Sequence, residues 1–231
     1  IVAHIDALAA RISEARGLVI ETHRDLNGLL MSIIVHPDGW TREFTPLDEL
    51  IRLRNPDVSV LSTESYRFAG VYSFGRGVFQ GETKSGFEFS YKRLTRLNTN
   101  DFVYPKLMAW EGAFGIVPEE CDGYVVSPEF PVFEVDTTRI LPSVLDIYFR
   151  NAKIWPEVMS LSIGTNVRRR RLHPRSFLAY KFPLPPMDVQ NKLQKVYTEG
   201  RIVNQLQSEI LLELDALLPS VLDQAFRGEL S

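Results

Sequence analysis

Leu26-Asn27-Gly28-Leu29-Leu30-Met31-Ser32-Ile33 and Leu214-Asp215-Ala216-Leu217-Leu218-Pro219-Ser220-Val221 stand 188 residues apart and share their three leucines and their serine. The same shift, without a gap, sets Ile1 on Val189, Ile5 on Leu193 and Leu8 on Val196. An internal repeat is first of all a statement about architecture. Here it frames a body that is not repeated, and the chain reads as helix, body, helix.

The flanks show why both copies are helical. Residues 1–35 contain no proline, and Ile1, Ile5, Leu8, Ile12, Ala15, Val19, Leu26, Leu29 and Ile33 recur in steps of four and three, broken only at Thr22. A repeat of 3.5 residues draws one apolar stripe along a helix and suits coiled-coil packing. His36-Pro37-Asp38-Gly39 ends the pattern. After Pro185-Pro186 a second seam runs through Val189, Leu193, Val196, Val203, Ile210, Leu214, Leu217 and Val221; Gly200 and Gln207 weaken it, and Leu206 shifts it locally. Helices of this length are rods of about 50 Å. They are expected to pair as an antiparallel coiled coil and to act as a spacer.

The body, between about 40 and 185, follows another grammar. Strands are expected at Val58–Leu61, Gly70–Phe74, Phe87–Tyr91, Phe102–Val103, Gly123–Val126 and Val132–Val135, where β-branched and aromatic residues alternate with turn formers. Residues 141–155 read as one helix that stops at Pro156, with Leu141, Val144, Leu145, Tyr148 and Phe149 on one face. The fold class is α+β: a globular domain with a curved mixed or antiparallel sheet between two long helices. The divisions fall at 1–36, 37–185 and 186–231.

Composition excludes several classes. No apolar run approaches the ~20 residues of a membrane-spanning helix, and no signal peptide opens the chain. One cysteine, Cys121, forbids an intramolecular disulfide and a multi-cysteine zinc site, so a cytoplasmic setting is expected. His4, His23, His36 and His173 form no metal-spaced set. Gly75-Arg76-Gly77 lacks the strand-to-helix context of a dinucleotide fingerprint. Glu119, Glu120 and Asp122 read as a solvated turn before they read as an acid–base pair. No catalytic residue, metal or cofactor is expected.

Charge is informative once mapped. The whole chain has 26 Lys plus Arg against 29 Asp plus Glu, a net of -3. Residues 67–106 hold seven basic and three acidic groups, and residues 167–185 hold six basic and none acidic. Residues 107–166 hold three basic and nine acidic groups. If the two basic segments meet, they make a face for a phosphate backbone. Alternatively, Arg168–Arg171 is a solvated loop paired with the acidic block. Four consecutive arginines cannot all point one way, so two or three at most would touch one strand.

Several segments together resemble the DNA specificity subunit of type I restriction-modification systems. The tail from Leu217 through Ala225-Phe226-Arg227-Gly228-Glu229-Leu230 looks like that family's C-terminal helix ending. Phe182-Pro183-Leu184-Pro185-Pro186 with Gln190 looks like the lead into it. Ser162-Ile163-Gly164-Thr165, the arginine run and Pro174–Leu178 resemble the end of a target recognition domain. Asp101–Leu107 and Gly112–Gly115 resemble the middle of one. The resemblance implies sequence-specific binding of double-stranded DNA without catalysis. It implies methyltransferase subunits as direct partners and a restriction subunit as an indirect one. Arg76, Lys84, Lys106, Arg168, Arg169, Arg170 and Arg171 are the expected DNA contacts. Leu217, Leu218 and Phe226 are expected to dock a partner or to fill the coiled-coil core. The family's usual subunit has two recognition domains and this chain has one. A fragment, or a half-subunit that pairs as a homodimer, is therefore expected. The alternative is a helical protein-interaction scaffold with no DNA role.

Overall fold

The computed structural model describes residues 2–35, 43–162 and 170–227. In chain order the elements are α1 (Val2–Val35), β1 (Glu43–Pro46), β2 (Ile51–Leu53), β3 (Val58–Ser59), β4 (Ser65–Tyr72) and β5 (Gly77–Ser85). There follow β6 (Arg93–Arg96), β7 (Phe102–Val103), β8 (Gly115–Ile116), β9 (Val125–Val126) and β10 (Val132–Val135). The chain closes with α2 (Pro142–Phe149), α3 (Trp155–Ser160), α4 (Pro174–Leu178), β11 (Lys181–Leu184) and α5 (Met187–Phe226). No described helix is long and apolar enough to cross a membrane. The chain divides into two compact units, residues 1–30 with 195–231, and residues 31–194.

In the first unit the expected seam of α1 is visible as burial. Ile5, Leu8, Ala15 and Val19 are half-buried and Ile12 is buried. The stripe then departs from the 3.5 spacing: Leu29 is 57% exposed, whereas Leu30 is 1% exposed. The reason is geometric. A straight helix drifts about 20° per heptad from a 3.5 repeat, so over four heptads the inward face moves by nearly one residue. On α5 the seam holds only in part: Leu193 and Gly200, both on the expected register, are buried, whereas Val196, Val203 and Ile210, also on it, are exposed.

The second unit is α+β, but its strands form three sheets where one was expected. β1 pairs with β11; β2-β10-β7-β8 form a second sheet; β3-β6-β9-β4-β5 form a third. The pairings are antiparallel except β4 with β9, which is parallel. A bulge between Arg67 and Ala69 shifts the β4–β5 register, which kinks and twists the longest hairpin. The core lies between the second sheet and the short helices. Phe102, Phe114, Phe133, Phe149, Phe177 and Phe182 are fully buried there. Phe102 stacks on Phe177 at 5.5 Å and meets Phe149 at 5.3 Å.

Two local expectations are corrected. Residues 87–91 form no strand; they are turn and bend, with Phe87 exposed. The single helix expected over 141–155 is two helices: α2 ends at Phe149, and the Asn151 carboxamide accepts the Lys153 N–H at 2.8 Å to turn the chain. Pro156 stands in the first turn of α3 instead of ending its predecessor. A proline is tolerated in a first turn because the N–H it lacks would have no partner there.

Gln190 explains the glutamine that follows Pro185-Pro186. It is 1% exposed, accepts the Leu141 N–H at 2.8 Å, and donates to Arg139 O at 3.0 Å and Pro185 O at 2.8 Å. The first turn of α5 is thereby tied to the start of α2.

Candidate nucleic-acid interface

The two basic segments meet at Lys106 and Arg171, around a carboxylate of the acidic block. Lys106 is half-buried; its backbone N–H donates to Glu129 O at 2.9 Å, and its Nζ donates to Pro128 O at 2.7 Å and lies 3.9 Å from Glu129 Oε1. Arg171 donates to Glu129 Oε2 at 2.6 Å. The Leu172 N–H donates to Lys106 O at 3.0 Å, and the buried Tyr104 hydroxyl donates to Leu172 O at 3.3 Å. Burial pushes the Tyr104 phenol far up, so it serves as a fixed donor. One carboxylate serves two cations, leaving the cluster a surplus positive charge. Lys106 is chiefly a brace, because its ammonium is aimed at a carbonyl.

Arg76 occupies the tip of the β4–β5 hairpin. Its guanidinium lies over the Tyr72 ring, 4.5 Å from the centroid, and its Nε donates to Ser73 O at 3.2 Å. Tyr72 in turn stacks on Phe79 at 3.8 Å. The result is an exposed ladder of ring, ring and guanidinium on one hairpin face, an arrangement that cation–π attraction favours. Among the described residues Arg76 has no acidic partner. Lys84 sits near the other end of β5, about 27 Å away at the usual strand rise, exposed and 3.5 Å from Glu82. Arg76 and Lys84 thus share a hairpin but not a site.

The tip is held to the segment that follows Lys106. The Phe74 N–H donates to Glu111 O at 2.7 Å, the Gly75 N–H to Gly112 O at 3.0 Å, and the Ser73 hydroxyl to Glu111 Oε2 at 2.8 Å. Gly112 ends the 109–111 turn at φ +71, and a Cβ there would overlap the Trp155 indole. Trp155 is fixed by its Nε1 donating to Phe149 O at 2.9 Å. Side chains at Gly75 or Gly77 would strike Arg150, whose Nε lies 2.6 Å from the buried Asp146 carboxylate.

Arg168 and Arg169 lie outside the described residues; Arg170 is half-buried and Arg171 exposed. Leu217, Leu218 and Phe226 fall within α5, and their side chains lie outside the described residues. Exposed apolar residues that α5 does show are Val196, Ile202, Val203, Leu206, Ile210 and Leu212. Sequence reasoning passed over Tyr72 and Phe74, which it placed in a strand, and counted the exposed cations Lys92, Arg93 and Arg96 in the first basic segment without expecting them as contacts. Alternation of Tyr72, Phe74 and Arg76 before a Gly-Arg-Gly tip was the available signal. The acidic turn is structural: Asp122 accepts the Thr99 N–H at 2.8 Å, and Cys121 is buried beside it, its thiol pushed up by burial and by Glu120.

No family model matches the sequence. No curated protein matches it. Solved structures do. One, described as the structural basis of complex assembly and conformational transition of the type I R-M system, superposes with a TM-score of 0.58 at 17% identity, covering 99% of this chain and 58% of that one. The S subunit of a type I restriction-modification system from M. genitalium superposes at 0.58 with 12% identity, covering 95% of this chain and 58% of that one. The HsdS subunit from Thermoanaerobacter tengcongensis superposes at 0.48 with 17% identity, covering 99% of this chain and 57% of that one. The chain has the fold of a type I specificity subunit and spans less than three-fifths of the length of these structures.

Proposed function

We propose that this chain is a DNA-specificity component of a type I restriction-modification system. The shared helix–body–helix fold, matched over nearly the whole chain, is the observation that carries the reading. In this reading the body, 37–185, is a target recognition domain that reads one half of a split duplex site. Residues 1–36 and 186–231 form the spacer, paired as an antiparallel coiled coil. The chain is non-catalytic and cytoplasmic, and directs methyltransferase subunits and, through them, a restriction subunit. A second recognition domain comes from the rest of a longer chain or from a homodimer partner.

Phosphate contacts are assigned to Arg76, Lys84 and the 168–171 arginines, with Lys106 positioning Arg171 through Glu129. The guanidinium of Arg76, with no acidic partner among the described residues, is the best candidate for a bidentate contact to guanine, worth about 1–3 kcal/mol of discrimination. Leu217, Leu218 and Phe226 are assigned to helix pairing or partner docking.

The exposed Val203, Leu206 and Ile210 of α5 favour a second reading, a helical scaffold without DNA. Salt separates the two. Titration of duplex DNA by fluorescence anisotropy between 50 and 200 mM salt should give a log–log slope of about −0.9 per phosphate neutralised, and tighter binding of a cognate than of a random duplex. A flat response, or equal affinity for both at physiological salt, defeats the specificity reading and selects the scaffold.

A further inference from the structure

The β4–β5 tip carries a feature that phosphate binding does not use. Phe74 is 64% exposed, yet its backbone is held at φ +63. A bulky residue in the left-handed region is uncommon and is retained only where its surroundings over-determine it. Here they do. The Phe74 N–H is bound by Glu111 O, the Gly75 N–H by Gly112 O, and the Ser73 hydroxyl by the Glu111 carboxylate. Arg150 closes on the glycines at 75 and 77 from beneath. On the outer side the ring's one described aromatic neighbour is Trp155, tilted, at a centroid distance of 6.4 Å. A rigid loop therefore presents a mostly uncovered aromatic ring two residues from a guanidinium that is itself pre-oriented on Tyr72.

Resting on the DNA-binding reading, we infer that Phe74 is a stacking wedge: its ring packs against a base step of the target duplex while Arg76 engages the flanking phosphate or base edge. Three observations favour nucleic acid over a protein partner. The ring stands two residues from a cation that has no acidic partner among the described residues and that rests on Tyr72. The carboxylate close by, Glu111, is occupied by Ser73. The backbone is locked, so inserting the ring costs little ordering entropy. Apolar wedges beside basic side chains are a known means of unstacking a base step, and ring–base stacking is tolerant of sequence while step flexibility is not.

The test uses the full 231-residue chain and a duplex enriched by it from a random pool, with 2-aminopurine placed at successive positions. Phe74→Gly removes the ring while keeping a residue at ease at positive φ; Phe74→Tyr keeps the ring. Wild type and Phe74→Tyr should brighten one step on binding. Phe74→Gly should lose that signal and about tenfold in affinity, within the range of base–aromatic stacking, with an unchanged salt slope. Arg76→Ala should instead lower the slope by about one phosphate. If Phe74→Gly keeps both affinity and brightening, the wedge is overturned and the DNA reading stands. A fall in salt slope for Phe74→Gly overturns it equally, since the residue would then act through the backbone. No binding of any duplex by wild type brings down both readings.

Discussion

Gln190 offers the sharpest check on how the first turn of α5 is joined to the rest of its unit. Its carboxamide makes three hydrogen bonds, one accepted from Leu141 and two donated to Arg139 O and Pro185 O. Pro185 is buried, Leu141 half-buried and Arg139 exposed. Gln190→Ala strands all three. A buried group left unsatisfied costs about 1–3 kcal/mol and a partly solvated one about 1 kcal/mol or less, so a loss of about 3 kcal/mol is expected. At a urea slope of about 2 kcal/mol/M this lowers the midpoint by about 1.5 M, read through tryptophan fluorescence. Gln190→Glu refines the test. Its carboxylate keeps the Leu141 bond but confronts two carbonyl oxygens without water. Burial and those dipoles raise its pKa above the ordinary glutamate value. The folded state then holds more protons than the unfolded state in the window above about pH 4.3, and stability rises as pH falls through it. The deficit of Gln190→Glu against wild type should be at least that of alanine at pH 7.5 and should shrink towards pH 5. An alanine cost under about 1 kcal/mol, or a glutamate deficit that grows on acidification, would refute the latch.

Two further outcomes follow from the same structure. Gly112→Ala combines a left-handed backbone, about 1–2 kcal/mol, with overlap of an indole that cannot swing without losing its bond to Phe149 O, about 1–3 kcal/mol of overpacking. Chemical denaturation should show a loss of about 3 kcal/mol, with a change in tryptophan emission; a loss below about 1 kcal/mol would place Trp155 wrongly. Asp101 pairs with Arg54 at 5% side-chain exposure, and its pKa is raised because burial outweighs the Asn98 N–H and the Arg54 guanidinium. The folded state therefore protonates first, so the wild-type advantage over Asp101→Asn should grow as pH drops from 7 towards the carboxylate range. Differential urea melts that show the opposite trend would reverse that sign.

The helices were legible because their signal is periodic and long. Thirty-odd residues of apolar spacing overwhelm local noise, and the repeat doubled it. What spacing could not carry was the accumulated drift between 3.5 and 3.6 residues per turn, which exposes Leu29 and buries Leu30. The body was less legible because its strands are short. β3, β7, β8 and β9 have two residues each, too few for alternation to register. Phe87, Phe89 and Tyr91 do alternate, yet the segment turns away at Gly86, whose Cα passes so close to Leu61 O that no side chain fits. In the interface, residue type located the cations but not their partners. Lys106 and Arg171 lie 65 positions apart in sequence, and only the fold shows that Glu129 stands between them.

Net charge is a poor guide to such a protein, and the geometry shows why. Binding needs a few cations whose fields are not cancelled, and it needs them in fixed places. Glu129 consumes part of the charge of Lys106 and Arg171 but fixes Arg171 in return. Arg76 is fixed by a ring and a carbonyl, and among the described residues no carboxylate pairs with it. The support beneath it is continuous within one unit of the fold. Gln190 ties the first turn of α5 to the start of α2. The buried Asp146 of α2 holds Arg150, and Arg150 closes on the glycines of the hairpin tip. In the proposed reading, a contacting tip must be kept in register with the first turn of α5. A path of partly buried hydrogen bonds and a packed ion pair joins the two, whereas additional surface lysines would add affinity for any duplex and discrimination for none.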